Sequence, residues 1–87
     1  MRVVFSSQAD KDWRYWEKHN PAVLDKIRTL LHEVEADPFK GTGKPEPLKE
    51  NWRGYWSRRI TGEHRLVYKV EDGKIFLAQC RYHYSKK

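Results

Sequence analysis

Four residues in the second half of the chain have side chains suited to catalysis on a phosphodiester: Glu46, Arg59, Arg65 and His83. Glutamate is ionised at neutral pH and can accept a proton, whereas histidine titrates near neutrality and can donate one. Cleaving RNA without a metal requires a base for the 2′-hydroxyl, an acid for the 5′-oxygen and cations for the charge at phosphorus. The residue types alone are a weak signal, because exposed glutamates and terminal histidines are usually solvated.

Charge is distributed unevenly along the 87-residue chain, which carries a formal net charge of +6. Residues 1–37 contain six Lys/Arg and seven Asp/Glu, whereas residues 38–87 contain twelve and five. A basic half favours a polyanionic partner, because Lys and Arg that neutralise phosphates release condensed counterions. An anionic lipid surface or an acidic protein segment would suit the same charge, and ordinary solubilising charge explains it equally well.

Length and composition fit one small domain spanning residues 1–87. Four Trp, five Tyr and three Phe compensate for the few aliphatic residues in its core. No apolar run approaches the ~20 residues of a membrane-spanning helix, and Met1 to Phe5 lack a secretory signal, so we expect a cytoplasmic protein with no membrane association. The single cysteine, Cys80, has no disulfide partner in the chain and is interpreted as a small buried side chain.

Two helices are predicted in the first half of the chain. The pair Ser6-Ser7 can cap a first helix that reaches about Lys18. Asn20-Pro21 starts a second helix, which ends near Ala36 because a proline follows shortly afterwards. Two tryptophans in the apolar stripe of the first helix are expected in the core: Trp13 and Trp16.

The second half predicts an exposed loop followed by a sheet. Phe39–Pro47 is rich in glycine and proline, as loops are. Strands are expected at Arg2–Phe5, Tyr55–Ile60, Arg65–Val70 and Ile75–Tyr82. Helices followed by strands predict an α+β domain, with both helices on one face of a small, mainly antiparallel sheet.

Hairpin geometry predicts which side chains share a face of that sheet. With three-residue turns and a left-handed Gly73, Arg59 lies opposite Arg65, and Arg65 lies opposite Gln79. The mainly apolar face then carries Leu66, Tyr68, Val70, Phe76, Ala78, Cys80 and Tyr82. The other face, a predicted anion site, carries Arg59, Arg65, Lys69, Gln79, Arg81 and His83. A two-residue Asp72-Gly73 turn would instead shift the last strand by one residue and separate His83 from Arg65.

Four motifs occur in order and at consistent spacing in the second half of the chain. They are Lys44–Lys49 (KPEPLK), Tyr55–Ile60 (YWSRRI), Glu63–Tyr68 (EHRLVY) and Cys80–Tyr84 (CRYHY). Together they resemble the YoeB branch of the RelE/ParE toxin superfamily, and the resemblance spans nearly the whole chain. It implies a RelE-like version of the α+β fold.

The resemblance also implies an activity: the toxin of a type II toxin–antitoxin system, an endoribonuclease that cuts mRNA on the ribosome and inhibits translation. Matching positions make Glu46 the general base, His83 the general acid and Arg65 the main transition-state stabiliser. By the same resemblance, Lys49 and Arg59 would hold phosphate, and Tyr84 would orient the substrate or leaving group. The family implies no cofactor. Implied partners are the ribosome with its mRNA and a YefM/Phd-like antitoxin, and a homodimer is plausible.

Further RNA contacts are expected outside this set. Lys44 and Arg81 add positive charge close to the motifs. Trp52 is the better candidate for stacking on an unpaired base, whereas Trp56 is expected in the core, as aromatic residues in strands usually are.

Other motifs are incomplete, and other functions fit less well. Gly41–Pro45 lacks the glycine spacing and the Ser/Thr of a phosphate-binding loop, and His32-Glu33 lacks the second histidine of a zinc-binding HExxH motif. His19 and His64 are left with surface or capping roles, and no metal site is expected. The alternative functions are a gyrase inhibitor of the ParE type, although such relatives lack the acid–base set, and a non-catalytic nucleic-acid or antitoxin-binding module.

Overall fold

Two helices and a five-stranded sheet form residues 1–83, the part of the chain that the computed structural model describes. In chain order the elements are β1 (Arg2–Phe5), α1 (Ser7–His19), α2 (Pro21–Ala36), β2 (Glu46–Pro47), β3 (Trp56–Arg59), β4 (Arg65–Glu71) and β5 (Lys74–Gln79), with a short 3-10 helix at Glu50–Trp52. The predicted α+β architecture is confirmed, and both helices match their predicted ranges closely. The sequence did not predict β2 or the 3-10 helix.

The start of each helix follows from its first residues. The Ser6 hydroxyl caps α1 by accepting the Ala9 N–H at 3.0 Å. Asn20 occupies the capping position of α2 but makes no side-chain cap hydrogen bond, and Pro21 begins that helix with its fixed φ. α2 ends before Asp37-Pro38, where Asp37 is extended.

Both helices pack on one face of the sheet and enclose one hydrophobic core. The buried core residues are Ala9, Trp16, Leu24, Ile27, Leu30, Leu31, Val34, Ile60, Leu66, Tyr68, Ile75, Leu77 and Cys80. Trp13 and Trp56 are partly buried against this cluster. The prediction that these aromatic residues contribute to the core is therefore confirmed, and so is the burial of Cys80.

The strands are arranged in the order β1-β5-β4-β3-β2. β1 pairs with β5 in parallel, whereas the other neighbours are antiparallel, so the predicted meander of β3, β4 and β5 is confirmed. β1 and β2 form the two edges of the sheet. Within residues 1–83, neither helix has the length and apolar character that crossing a membrane requires.

The turn between β4 and β5 has two residues rather than three. Glu71 pairs with Lys74, and the intervening Asp72-Gly73 has positive φ at both positions, 54° and 70°. These angles are those of a type I′ turn, which matches the twist of a hairpin and favours an Asp-Gly sequence. The predicted pairing in the other hairpin is confirmed, because Arg59 lies opposite Arg65.

The shorter turn changes which β5 side chains enter the core. Ile75 and Leu77 are buried, and Phe76 lies opposite Lys69, so the predicted placement of Phe76 on the helix-covered face is wrong. Gln79 pairs with Val67 and not with Arg65. The register shifts at a bulge around Ala78, which returns the strand to phase so that Cys80 is buried. Tyr82, also predicted on the apolar face, is 54% exposed.

Candidate active site

One cavity of 190 Å³ gathers the three side chains predicted to be catalytic. It is lined by Lys44, Glu46, Ser57, Arg59, Arg65 and His83. Along β4, Leu66 and Tyr68 enter the core, so strand alternation turns Arg65 to the face that the helices do not cover. Arg65 and His83 share this cavity even though the turn is the shorter one that was expected to separate them, because the bulge around Ala78 returns the chain to phase before His83.

Strand pairing explains the positions of four of the six residues that line the cavity. Glu46 on β2 pairs with Ser57 on β3, and Arg59 pairs with Arg65 on β4. Ser57 and Arg59 are two residues apart in one strand, so they project from the same face. Ser57 was not among the predicted site residues, although its alternation with Arg59 along one strand was a usable signal.

The loop that carries Lys44 and Glu46 to the cavity is anchored by a buried arginine, Arg58. Its side chain has no exposed surface. Nη2 donates to the carbonyl oxygens of Asp37 and Lys40 at 2.7 and 2.8 Å. Nε donates to the Tyr68 hydroxyl at 3.1 Å, and that hydroxyl donates to the Pro38 carbonyl at 2.6 Å. Because a buried guanidinium is stable only when its donors are satisfied, these bonds fix the loop to the sheet.

A carboxylate on α2 adds a second attachment for the same loop. Glu33 accepts the Thr42 N–H at 2.9 Å and lies 3.6 Å from Nη1 of Arg58. The backbone hydrogen bond from Thr42, reinforced by the Arg58 charge, holds the pKa of Glu33 below its ordinary value. The loop is thus fixed to both layers of the fold.

Close approach of the loop to β3 requires a glycine at position 43. Gly43 has φ +89°, and its carbonyl accepts the Arg59 N–H at 2.7 Å. A Cβ at this position would lie 2.9 Å from the Arg59 carbonyl oxygen, closer than a real Cβ contact allows. Any other residue would therefore push the loop, with Lys44, away from the strand.

The guanidinium of Arg65 is held by the turn that precedes β4. Its Nη1 donates to the carbonyl oxygens of Thr61 and His64 at 2.9 and 3.0 Å. The Arg65 backbone N–H donates to the Tyr82 carbonyl at 3.0 Å. This last bond ties the strand carrying Arg65 to the segment that precedes His83.

The other predicted site residues lie around this cavity. Lys49 and Trp52 line a 260 Å³ recess that also includes Glu46. Arg81 lines a 290 Å³ recess that shares His83 with the cavity, and its guanidinium carbon lies 3.4 Å from the centre of the Tyr15 ring. Arg81 is therefore a neighbour of the site rather than part of its lining. Tyr84 lies outside the described residues.

The arrangement has the groups that acid–base chemistry on an anion needs. A carboxylate and an imidazole line the same cavity, so one can accept and the other donate a proton. Arg59 and Arg65 line the same cavity, and each guanidinium can donate two parallel hydrogen bonds to phosphate oxygens. Among residues 1–83, no group of three or more His, Cys, Asp and Glu side chains is placed to hold a metal ion.

The fold is shared with solved toxins of the RelE/YoeB type. A structure described as a YoeB/ParE toxin from Agrobacterium tumefaciens superposes with a TM-score of 0.92. It is 42% identical in sequence, and the match covers 97% of this chain and 100% of the other.

The chain belongs to the family of YoeB-like toxins of bacterial type II toxin–antitoxin systems, whose family model matches residues 5–84. It is 48% identical over 84 residues to the toxin YoeB of Escherichia coli K12, covering 97% of this chain and 100% of that protein. YoeB of Staphylococcus aureus has been solved in a heterotetrameric complex with YefM and as a dimer. Each is 45% identical with a TM-score of 0.90, covering 97% of this chain and 98% of the other. The resemblance inferred from the motifs is confirmed.

Proposed function

We propose that this chain is a ribosome-dependent endoribonuclease that cuts mRNA by general acid–base catalysis without a metal. The observation that supports this most is the single cavity lined by Glu46, Arg65 and His83 together with Arg59. Membership in the YoeB-like toxin family gives independent support. Stopping translation by cutting mRNA would explain why the product of such a gene is toxic.

In the proposed reaction, Glu46 removes the proton from a ribose 2′-hydroxyl, and the freed oxygen attacks the adjacent phosphorus. Arg65, assisted by Arg59, stabilises the charge that builds up on the phosphate oxygens. His83 donates a proton to the departing 5′-oxygen as the bond from phosphorus to that oxygen breaks. The products are a 2′,3′-cyclic phosphate on one fragment and a 5′-hydroxyl on the other.

The surrounding residues are proposed to hold the RNA on either side of the cut. Lys44 lines the cavity and Lys49 the adjoining recess, so both can neutralise neighbouring phosphates. Trp52 is partly buried in that recess and offers a surface on which a base can stack. Arg81 would add a contact beyond His83, and Tyr84 would orient the substrate or leaving group.

We also propose a YefM-like antitoxin as the partner that silences the toxin. The Staphylococcus aureus relative is found with YefM, and an acidic antitoxin segment would fit the basic cavity of this chain. That relative also forms a dimer, which makes a homodimer of this chain a reasonable expectation. Action on ribosomes would place the protein in the cytoplasm.

Primer extension on an mRNA undergoing translation tests the proposal. Wild-type protein should produce discrete cuts that need ribosomes, and Glu46→Ala, Arg65→Ala and His83→Ala should each remove most of them. Lys11→Ala, at an exposed position on α1, is the matched control and should cut normally. A single 2′-deoxynucleotide at the cut site should block cleavage there. Undiminished cutting by all three variants, or cutting at the deoxynucleotide, would refute the mechanism.

A further inference from the structure

The segment Cys80–Tyr82, which directly precedes His83, is held by side chains from distant parts of the fold. The Asp12 carboxylate on α1 accepts the Cys80 N–H at 3.0 Å. One turn further along α1, Trp16 Nε1 donates to the Cys80 carbonyl at 2.9 Å. Both backbone polar groups of Cys80 are therefore bonded to α1 at the point where β5 has ended.

Asp12 makes this contact from a buried position, which is unusual for a carboxylate. It is 3% exposed, and its second carboxylate oxygen accepts a hydrogen bond from Gln8 Nε2 at 2.8 Å. Burial of an ionised carboxylate is unfavourable unless hydrogen bonds compensate for the lost water. An apolar side chain would suit this buried helix position better, so the contribution of Asp12 is its bond to the Cys80 backbone.

His64 holds the next part of the segment. Its side chain is 12% exposed, and Nδ1 accepts the Tyr82 N–H at 2.7 Å. Only an unprotonated ring nitrogen can accept this bond. The imidazole lies edge-on to Trp16, with ring centres 4.8 Å apart, and Glu63 approaches its other nitrogen at 3.6 Å. The Tyr82 carbonyl is bonded to the Arg65 N–H, so Tyr82 is also held on both sides.

These contacts enforce a sharp bend immediately before His83. Tyr82 has φ +60°, a left-handed conformation that is unfavourable for a residue with a Cβ. Such a conformation persists only where surrounding contacts impose it, and it is often found at functional sites. Here it turns the chain at the end of the sheet, and the next residue lines the cavity with Glu46 and Arg65.

We propose that Asp12, Trp16 and His64 are positioning residues for His83. They hold the bent segment from Cys80 to Tyr82, and with it the direction of the imidazole that donates the proton. The inference rests on the proposed function, since positioning matters only if His83 acts on the RNA. Without these bonds the segment can relax toward an extended form, and a shift of about 1 Å can slow a reaction about 10²-fold.

Paired variants test His64 and Asp12 by rates of mRNA cleavage on the ribosome under single-turnover conditions. His64→Phe keeps an aromatic ring without the acceptor, whereas His64→Asn restores an acceptor oxygen near the Nδ1 position. We expect the first to cleave about 10²-fold more slowly with unchanged binding to the ribosome, and the second to recover most of the rate. Asp12→Ala and Asp12→Asn form an equivalent pair. His32→Phe, at an exposed histidine on α2, should match wild type.

A second measurement separates positioning from a general loss of stability. In a His83→Ala background, His64→Phe should cause no further loss of rate, because the residue it positions is gone. Equal fractional losses in both backgrounds, or wild-type rates for His64→Phe and Asp12→Ala, would overturn the inference.

Nitrogen NMR of the wild-type imidazoles tests the contact itself, without any variant. The His64 Nδ1 should be unprotonated and hydrogen-bonded to the Tyr82 amide, and a protonated Nδ1 at neutral pH would overturn the inference even if the variants fail to fold. Absence of cleavage by wild type would defeat the proposed function instead, and the NMR result would still report on the hydrogen bond.

Discussion

Arg59 and Arg65 lie directly opposite each other on adjacent antiparallel strands, and both line the cavity that contains Glu46 and His83. Opposed like charges on neighbouring strands repel each other. The repulsion is relieved when an anion binds between them, because both guanidiniums can then donate to the same oxygens. Under the proposed function, the pair would therefore be better suited to the anion-bound state than to the free protein, as is common where a site favours function over stability.

Removing one member of the pair should stabilise the free protein and weaken anion binding. For Arg59→Gln we expect a free energy of unfolding higher by about 0.2–1 kcal/mol, the range for one cross-strand pair. Inorganic phosphate should raise the melting temperature of wild type more than that of the variant, because a ligand of the folded state stabilises in proportion to its affinity. Differential scanning calorimetry with and without phosphate measures both effects.

Arg53→Gln provides the comparison for this prediction, since Arg53 is exposed and lies outside the cavity. It should leave the response to phosphate unchanged. A variant at Arg59 that is less stable than wild type and keeps the full phosphate response would show that the two guanidiniums do not repel and do not share an anion.

Arg58 should be the arginine that matters most for folding. Arg58→Ala leaves the carbonyl oxygens of the loop without their donors in a buried site, and we expect a loss of about 3–5 kcal/mol, as when one partner of a buried charged network is removed. Arg58→Lys should recover little of this, because one ammonium cannot reach acceptors on opposite sides of a planar guanidinium. Urea unfolding measures the change.

A variant at an exposed arginine, Arg53, is the control for Arg58→Ala. Arg53→Ala should alter stability by less than about 0.5 kcal/mol, the usual range for surface positions. If Arg58→Ala unfolds at the same urea concentration as wild type, the loop that carries Glu46 does not depend on this network.

Much of the fold could be predicted because local signals agreed with the global arrangement. Helical periodicity, the Ser6 cap and Pro21 defined both helices to within a residue. β2 could not be found, since two residues carry no periodicity and its pairing with β3 depends on a loop anchored elsewhere. The type I′ turn at Asp72-Gly73 was an open alternative, because a glycine after an aspartate suits both turn lengths.

The residues that line the candidate site could be predicted from the sequence, whereas the residues that hold them in position could not. Glu46, Arg65 and His83 lie in motifs, so their convergence was predicted even though the β5 register was wrong. The bulge at Ala78 and the bend at Tyr82 bring His83 to the cavity. No sequence pattern predicts the bulge or the bend. Arg58 and His64 act through partners far away in sequence. Of the surface or capping role predicted for His64, the capping part holds, because its Nδ1 accepts the Tyr82 N–H from a side chain that is only 12% exposed.

Acid should weaken the attachment of the loop to α2. In the folded protein the pKa of Glu33 lies below its ordinary value, mainly because its carboxylate accepts the Thr42 N–H, so folding favours its ionised form. Its contribution to stability is present above the unfolded value and disappears as the pH falls through the lower folded value. Glu33→Gln keeps an acceptor for the Thr42 N–H without the charge. The difference in free energy of unfolding between wild type and Glu33→Gln should therefore shrink as pH falls from 7 to 3.

Urea titrations at several pH values measure this difference. Glu17→Gln, at an exposed position on α1, is the control and should give a smaller and flatter difference. A gap between wild type and Glu33→Gln that is constant or widens toward pH 3 would contradict the assignment, because it would mean that folding does not favour the ionised carboxylate.

The Cys80 thiol should resist alkylation while the protein is folded. Burial, with a smaller contribution from the Asp12 charge, raises its pKa to about 12. At pH 8 the reactive thiolate is then about a thousandfold scarcer than for an ordinary cysteine.

Labelling of Cys80 with a thiol reagent should therefore follow the unfolding transition in urea. The control combines Cys80→Ala with His32→Cys, which moves the thiol to an exposed helix position, and it should react at once. Because burial is the main cause, Asp12→Asn should leave the folded protein unreactive, and rapid labelling of wild type without urea would show that the end of β5 opens readily.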